Sequence, residues 1–209
     1  MKVLELYSGT ECLSNAFRAN GHECYTVDWD EKYPSNLHID IGKLDAELII
    51  KEFGYPDVIW VGTDCTTFSV AAISKHRRKN PTTGNLDPIS DYAKQCDATN
   101  KHVWELIDKL NPRIYIWENP RGGLRSMDYM QRANRQTTTY CQYGFPYMKP
   151  TDFFSNVDLK LKPRVKMAIL VMREHLEEAD TDSRESKVQH SGRYIQMNYV
   201  SILLPDAKK

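Results

Sequence analysis

Over the first 140 residues, short apolar runs alternate repeatedly with amphipathic stretches, and this alternation constrains the fold more than any other feature of the chain. Residues 2–7 read as a buried strand, Gly9 as a turn and residues 12–19 as a helix. Residues 23–27 form a second strand ending at Asp28, and residues 37–39 a short third. Leu44, Leu48, Ile49 and Phe53 give residues 43–53 helical spacing. The run DVIWV, residues 57–61, is a strongly apolar fourth strand. Residues 92–110 follow as a helix with Val103, Leu106, Ile107 and Leu110 on one face, stopped at Asn111-Pro112, and RIYIW, residues 113–117, is a fifth strand. Strand–helix–strand order of this kind implies a parallel sheet covered on both faces. Right-handed crossovers then give a doubly wound α/β fold, whose ligands sit at the carboxyl ends of the strands.

The rest of the chain is less regular. Residues 63–91 read as a long polar segment, and residues 136–140 and 152–155 as strands. An amphipathic helix is expected over 164–179 and a polar loop over 180–191; residues 193–204 suit strand or helix equally. A length of 209 residues fits one domain, or one with a small appendage. The formal net charge is zero, which counts against a passive nucleic-acid coat but leaves room for an enzyme with a local basic patch. Five cysteines without a C-x-x-C pair argue against a disulfide framework and a zinc site, and for reduced thiols in a cytosolic protein. The opening MKVLELYSG is too short an apolar run for a signal peptide, and no stretch is long enough to span a bilayer.

Four segments carry residues suited to chemistry. Glycine in Glu5–Glu11 (ELYSGTE) lets backbone approach a ligand where a helix begins, although a plain strand–turn–helix explains the segment as well. In VDWD, Asp28 can accept both hydroxyls of a ribose, and Trp29 offers a flat face to an adenine. Asp40 is either an acceptor for the adenine amino group or a cap for the following helix. In GTDCTTFS, Cys65 follows a buried strand among polar neighbours, whereas Cys12, Cys24, Cys96 and Cys141 read as small core residues. In IWENPR, Glu118 emerges from the same sheet edge as Cys65, and its apolar approach predicts a raised pKa; a cap or an ion pair to Arg121 is the alternative. A basic run at 75–79 and a cluster of Arg121, Arg125, Arg132, Arg135 and Lys149 lie near that edge.

LYSGTECLSNAF, VDWD, GTDCTTFS, WENPRGGLR and TYCQYGFPYMKPTDFFSN occur in that order. The ordered set resembles the DNA cytosine-5 methyltransferases, especially the compact forms of phages and prophages, across roughly residues 1–156. The resemblance implies a class I S-adenosylmethionine-dependent methyltransferase fold, with residues 157–209 as a short C-terminal extension packed on the same domain. It implies S-adenosylmethionine over Tyr7, Ser8, Gly9 and Thr10, with Asp28 on the ribose, Trp29 against the adenine and Asp40 nearby. Cys65 becomes the nucleophile, Glu118 its partner on the base, and Asn119 a support for the cysteine-bearing loop. Ser69, Arg77, Arg78, Arg121 and Arg125 become the expected contacts to DNA, duplex or single-stranded, and the setting a phage or bacterial cytosol, as in restriction-modification.

The chain departs from that family in several places. Thr63-Asp64 precedes Cys65 where proline is usual, so the turn loses a stiffener and the thiol gains a negative neighbour. Glu11 stands where a second glycine is common, either to bind the methionine ammonium or to begin the helix. The usual arginine-bearing motif after the sixth strand is not clear; Gln142-Tyr-Gly144 stands there, with Arg135 or Arg121 as the substitute. No large target-recognition domain follows residue 156, and residues 191–204 are the only candidate for the motif that closes the cofactor site. Two further readings therefore stand beside a DNA enzyme: a methyltransferase for RNA or a free pyrimidine nucleotide, and a degenerate member that binds nucleotide or a partner protein.

Overall fold

The computed structural model describes residues 1–165. The elements expected over 164–179, 180–191 and 193–204, with the 191–204 segment, lie outside or almost wholly outside the described residues. In chain order the strands and helices are β1 (Lys2–Leu6), α1 (Cys12–Ala19), β2 (Glu23–Asp28), β3 (Leu37–His38), α2 (Ala46–Glu52), β4 (Val58–Gly62), α3 (Ile73–His76), β5 (Arg77–Lys79), β6 (Leu86–Pro88), α4 (Asp91–Leu110), β7 (Ile114–Pro120), β8 (Asn134–Thr139) and β9 (Pro150–Ser155).

Seven strands form one sheet in the order β3-β2-β1-β4-β7-β9-β8. Strands β3, β2, β1, β4 and β7 run parallel. Strand β9 alone runs against both its neighbours, β7 and β8. From β1 the order extends to β2 on one side and to β4 on the other. A crevice therefore opens at the carboxyl ends of β1 and β4, where a doubly wound sheet receives its ligands.

Alternation along each strand splits the core into two layers. Leu4, Leu6, Ile59, Val61 and Trp117 pack with Val103, Leu106, Ile107 and Leu110 of α4. Val3, Val58, Trp60 and Ile116 face the other way, onto Leu13, Ala16 and Phe17 of α1. Because both faces are covered, these strands read as continuous apolar runs. Helix α4 begins where the Ser90 hydroxyl accepts from Ala93 N at 3.1 Å. It ends at Asn111, in the left-handed region at φ 44°.

The polar segment 63–91 is more ordered than its composition suggests. It holds a 3₁₀ turn (Thr66–Phe68), α3 and an antiparallel hairpin pairing Arg77 with Pro88 and Lys79 with Leu86. Its anchor is a buried cation. Arg77, 3% exposed, donates to Thr67 O at 3.0 Å and to both carboxylate oxygens of Asp97 at 3.0 and 2.8 Å, and lies over the Phe68 ring at 4.0 Å. Apolar periodicity carries no trace of such an anchor.

Candidate active site

Strand β1 runs into a turn with positive φ at Tyr7 (63°), Gly9 (49°) and Glu11 (53°). The turn is clasped to β2: Tyr7 N donates to Val27 O at 2.9 Å, and Gly9 N to Asp28 Oδ2 at 2.8 Å. Asp28 Oδ1 accepts from Asp30 N at 3.0 Å. Each oxygen of this buried carboxylate thus holds one backbone bond and retains a lone pair for a further donor.

Two cavities flank the turn. One, of about 300 Å³, is lined by Tyr7, Trp29, Asp40, Thr63, Asp64 and Tyr92 among others. The second, of about 380 Å³, is lined by residues including Glu5, Gly9, Thr10, Glu118 and Tyr140, and Tyr7 again forms a wall. Trp29 is 65% exposed, so its indole is available to a ligand rather than buried in the core. Asp40 lines the first cavity and caps a 3₁₀ turn over Ile41–Lys43, accepting from Gly42 N at 2.9 Å, whereas Asp45 caps α2. A third cavity, of about 520 Å³, lies between β6, α4 and residues 126–129, away from these strand ends.

The cysteine-bearing segment leaves β4 beside β7. Gly62 pairs with Glu118 in the parallel register, so residues 63–65 depart next to Glu118 and Asn119. Asn119 Nδ2 donates to Thr63 O at 3.2 Å, and Thr63 Oγ1 to Asn100 Oδ1 at 2.9 Å. Asp64 accepts from Thr66 N at 2.6 Å and from the Tyr92 hydroxyl. Phe68 N closes back on Cys65 O at 3.0 Å. Beneath the loop, Gly122 approaches so closely that a Cβ there would stand 2.3 Å from Phe68 O.

The electrostatics of the two reactive side chains differ. The Cys65 thiol is half-buried and pushed above its ordinary range, first by burial and then by the Asp64 and Glu118 carboxyls; Lys149 opposes the rise. Burial also raises Glu118, against Lys149 and a hydrogen bond from Tyr140 Oη to Oε1 at 3.1 Å. A carboxyl held this way keeps its proton to higher pH than a solvated one.

The expected nucleic-acid contacts divide. Arg78 and Arg121 are exposed. Ser69 Oγ is spent inside its own loop, on Thr66 O and Ala72 N, both at 3.3 Å. The expectation for Arg77 is corrected: its guanidinium is sealed against Asp97 and Thr67 and presents nothing to a phosphate. Arg125 is ion-paired to the buried Asp152 and bonded to Thr137. Glu11 follows one of its two readings, and Cys12 differs from expectation. Glu11 begins α1 without a side-chain cap bond, and its carboxylate goes to Arg18 at 2.9 Å and Thr26 at 2.5 Å. Cys12 is exposed rather than packed in the core. Sequence reasoning gave no role to Tyr140, Tyr92 or Gly122. Tyr140 and Gly122 lie inside the recognised segments, but nothing in residue type alone marks them.

No protein-family model matches the sequence, and no curated protein matches it. Solved structures do match. A protein assigned as a DNA modification methyltransferase, encoded within an E. coli prophage, aligns with a TM-score of 0.54 at 20% identity, over 81% of this chain and 50% of its own. The Entamoeba histolytica methyltransferase EhMeth aligns with a TM-score of 0.51 at 12% identity, over 79% of this chain and 57% of its own. The chain has the class I methyltransferase fold. It spans little more than half the length of these two proteins. Among the described residues, no helix is long and apolar enough to cross a membrane.

Proposed function

We propose that this chain transfers a methyl group from S-adenosylmethionine to C5 of cytosine in DNA, through a covalent bond between Cys65 Sγ and C6 of the base. One observation carries the reading: the β4–β7 register sets the Cys65 segment beside Glu118, tied by Asn119, next to two cavities that share Tyr7. The residues fit the cosubstrate. Trp29 and Asp40 offer a nucleoside one aromatic face and one acceptor, and Asp28 retains lone pairs for a ribose diol. Ser8, Gly9 and Thr10 bring backbone to the second cavity, which suits the amino-acid end of the same extended molecule. When bound, its sulfonium supplies an electrophilic methyl group.

Cytosine C5 is too weak a nucleophile to take that methyl unaided. The Cys65 thiolate adds to C6, and Glu118 in its protonated form, which burial favours, donates to N3 and stabilises the enamine that results. After methylation a base removes the C5 proton and Cys65 is expelled. The target carbon is unreachable within a duplex, so the cytosine is flipped out or already unpaired. Among the described residues, Lys75, Arg78, Lys79 and Arg121 are exposed cations that can meet phosphates. The catalytic unit is residues 1–156. The start of the extension packs on it: Leu159 is buried in the second core layer, and Lys162 N donates to Tyr143 Oη at 2.9 Å.

The test is nucleoside mass spectrometry on DNA and RNA from cells expressing the wild type or Cys65→Ser. 5-Methylcytosine in DNA with the wild type only is the expected result. The same product confined to RNA moves the substrate to RNA, and no modified pyrimidine in either polymer overturns the reading.

A further inference from the structure

The proposed chemistry leaves a difficulty that the structure itself raises. Cys65 must lose its proton to solvent before it adds to a base, yet burial and Asp64 on its own loop oppose a negative sulfur, and Glu118 on β7 does so while it is ionised. A nearby cation is required. The resemblance leads to an arginine after the sixth strand, but residues 136–144 (QTTTYCQYG) contain no arginine or lysine. Of the described arginines, Arg77 is committed to Asp97, Arg125 to Asp152, Arg132 to Asp108 and Arg18 to Glu11, while Arg135 donates to Arg125 O and Arg121 stays exposed.

We propose that Lys149, held against the face of Tyr140 in the turn before β9, is the active-site cation that supports thiolate formation at Cys65 and anchors the Glu118 carboxyl. Two contacts fix its position, and a third ties its partner ring to Glu118. Its carbonyl accepts from Tyr140 N at 3.2 Å. Its ammonium stands 4.9 Å from the centroid of the Tyr140 ring. The hydroxyl of that same ring donates to Glu118 Oε1 at 3.1 Å. One aromatic ring therefore holds the ammonium on its face and the carboxyl at its tip. A cation–π contact restrains an ammonium without neutralising it, so the charge remains available to both Cys65 and Glu118. The charged groups that act on the thiol are Asp64, Glu118 and Lys149, and of these charges only Lys149 favours the thiolate. Lys149 acts on the reaction through Cys65 and Glu118, as a positioning residue.

The inference rests on the proposed function but is tested apart from it. Alkylation of Cys65 by iodoacetamide is followed against pH, with the Cys65 peptide quantified by mass spectrometry, in the wild type, Lys149→Met and Lys149→Arg. Lys149→Met is expected to slow alkylation near neutral pH by about three- to tenfold and to move the profile to higher pH, as loss of a neighbouring cation does. Lys149→Arg is expected to restore most of the rate. Superimposable profiles for the wild type and Lys149→Met overturn the proposal, as does an equal loss in the Met and Arg variants. If the profile responds as expected while the wild type methylates no nucleic acid, the assignment of Lys149 stands and the substrate reading fails.

Discussion

Replacing Gly122 by alanine tests whether the cysteine-bearing loop is positioned by close packing from below. The new Cβ would stand 2.3 Å from Phe68 O and 3.2 Å from Phe68 C. The closest comfortable carbon–oxygen approach is about 3.3 Å, so about 1 Å of separation has to be found. Phe68 cannot simply retreat, because its buried ring lies under the Arg77 guanidinium, which is itself locked to Asp97. The displacement therefore passes along the loop to Cys65, whose carbonyl accepts from Phe68 N. Overpacking of this kind costs about 1–3 kcal/mol of stability. A misplacement of about 1 Å at a reacting group costs on the order of 10²-fold in turnover. Gly122 lines neither cofactor cavity, so S-adenosylhomocysteine affinity by calorimetry should stay within about twofold, by the usual independence of distant sites. Gly123→Ala is the control: its Cβ meets the Ile73 and Leu86 methyl ends at 2.7 and 3.0 Å, which can swing aside. A Gly122→Ala enzyme with wild-type turnover and wild-type melting temperature refutes the argument.

Three further perturbations probe separate parts of the molecule. Arg77→Met leaves the buried Asp97 without its counter-ion, with the Tyr129 hydroxyl still donating to it, and should cost about 3–5 kcal/mol in urea unfolding; a loss under about 1 kcal/mol would show that the pair is not the anchor of the 63–91 segment. Arg78→Ala combined with Arg121→Ala should leave stability unchanged and reduce the salt dependence of DNA binding by about 0.9 per lost phosphate contact, read from affinities at several ionic strengths; an unchanged slope removes both residues from the interface. Burial raises the Glu5 carboxyl to about 7, so the folded protein binds the extra proton and Glu5 favours folding fully only below about pH 4.5. That contribution, about 3 kcal/mol, is lost as pH rises through about 7, and denaturation of Glu5→Gln should lack that decline; parallel curves for the two proteins contradict the assignment.

Features that follow from apolar burial were legible in the sequence, and features that follow from polar pairing were not. The runs DVIWV and RIYIW announce central strands because both faces are covered, and the structure puts β4 and β7 side by side there. The hairpin within 63–91 was invisible because a single ion pair organises it, and Arg77 looks the same in sequence whether it meets Asp97 or a phosphate. The same ambiguity hid Tyr140. Its ring serves Lys149 and its hydroxyl serves Glu118, a pairing made only when β8 and β9 align. Cys65 and Glu118 were legible as neighbours because adjacent parallel strands deliver their carboxyl ends to one edge.

Asp64 joins these threads. Where the resemblance leads to proline before the nucleophile, this chain has a carboxylate, and its bond from Thr66 N at 2.6 Å closes an Asx turn over the cysteine. A second bond, from the Tyr92 hydroxyl, ties the turn to the start of α4. The rigidity that a pyrrolidine ring would give the backbone is thus supplied by hydrogen bonds, and the accompanying charge works against the thiolate that the reaction needs. The two effects separate by substitution. Asp64→Asn keeps an oxygen for Thr66 N and turns its amide nitrogen to the Tyr92 hydroxyl oxygen as a donor while removing the charge, so Cys65 should alkylate at lower pH and turnover should hold or rise. Asp64→Pro stiffens the turn but deletes both side-chain bonds, so the thiol should become more acidic while the tether to Tyr92 is lost and turnover falls. If the Asn variant titrates like the wild type, the charge of Asp64 does not reach Cys65, and its role is confined to the turn.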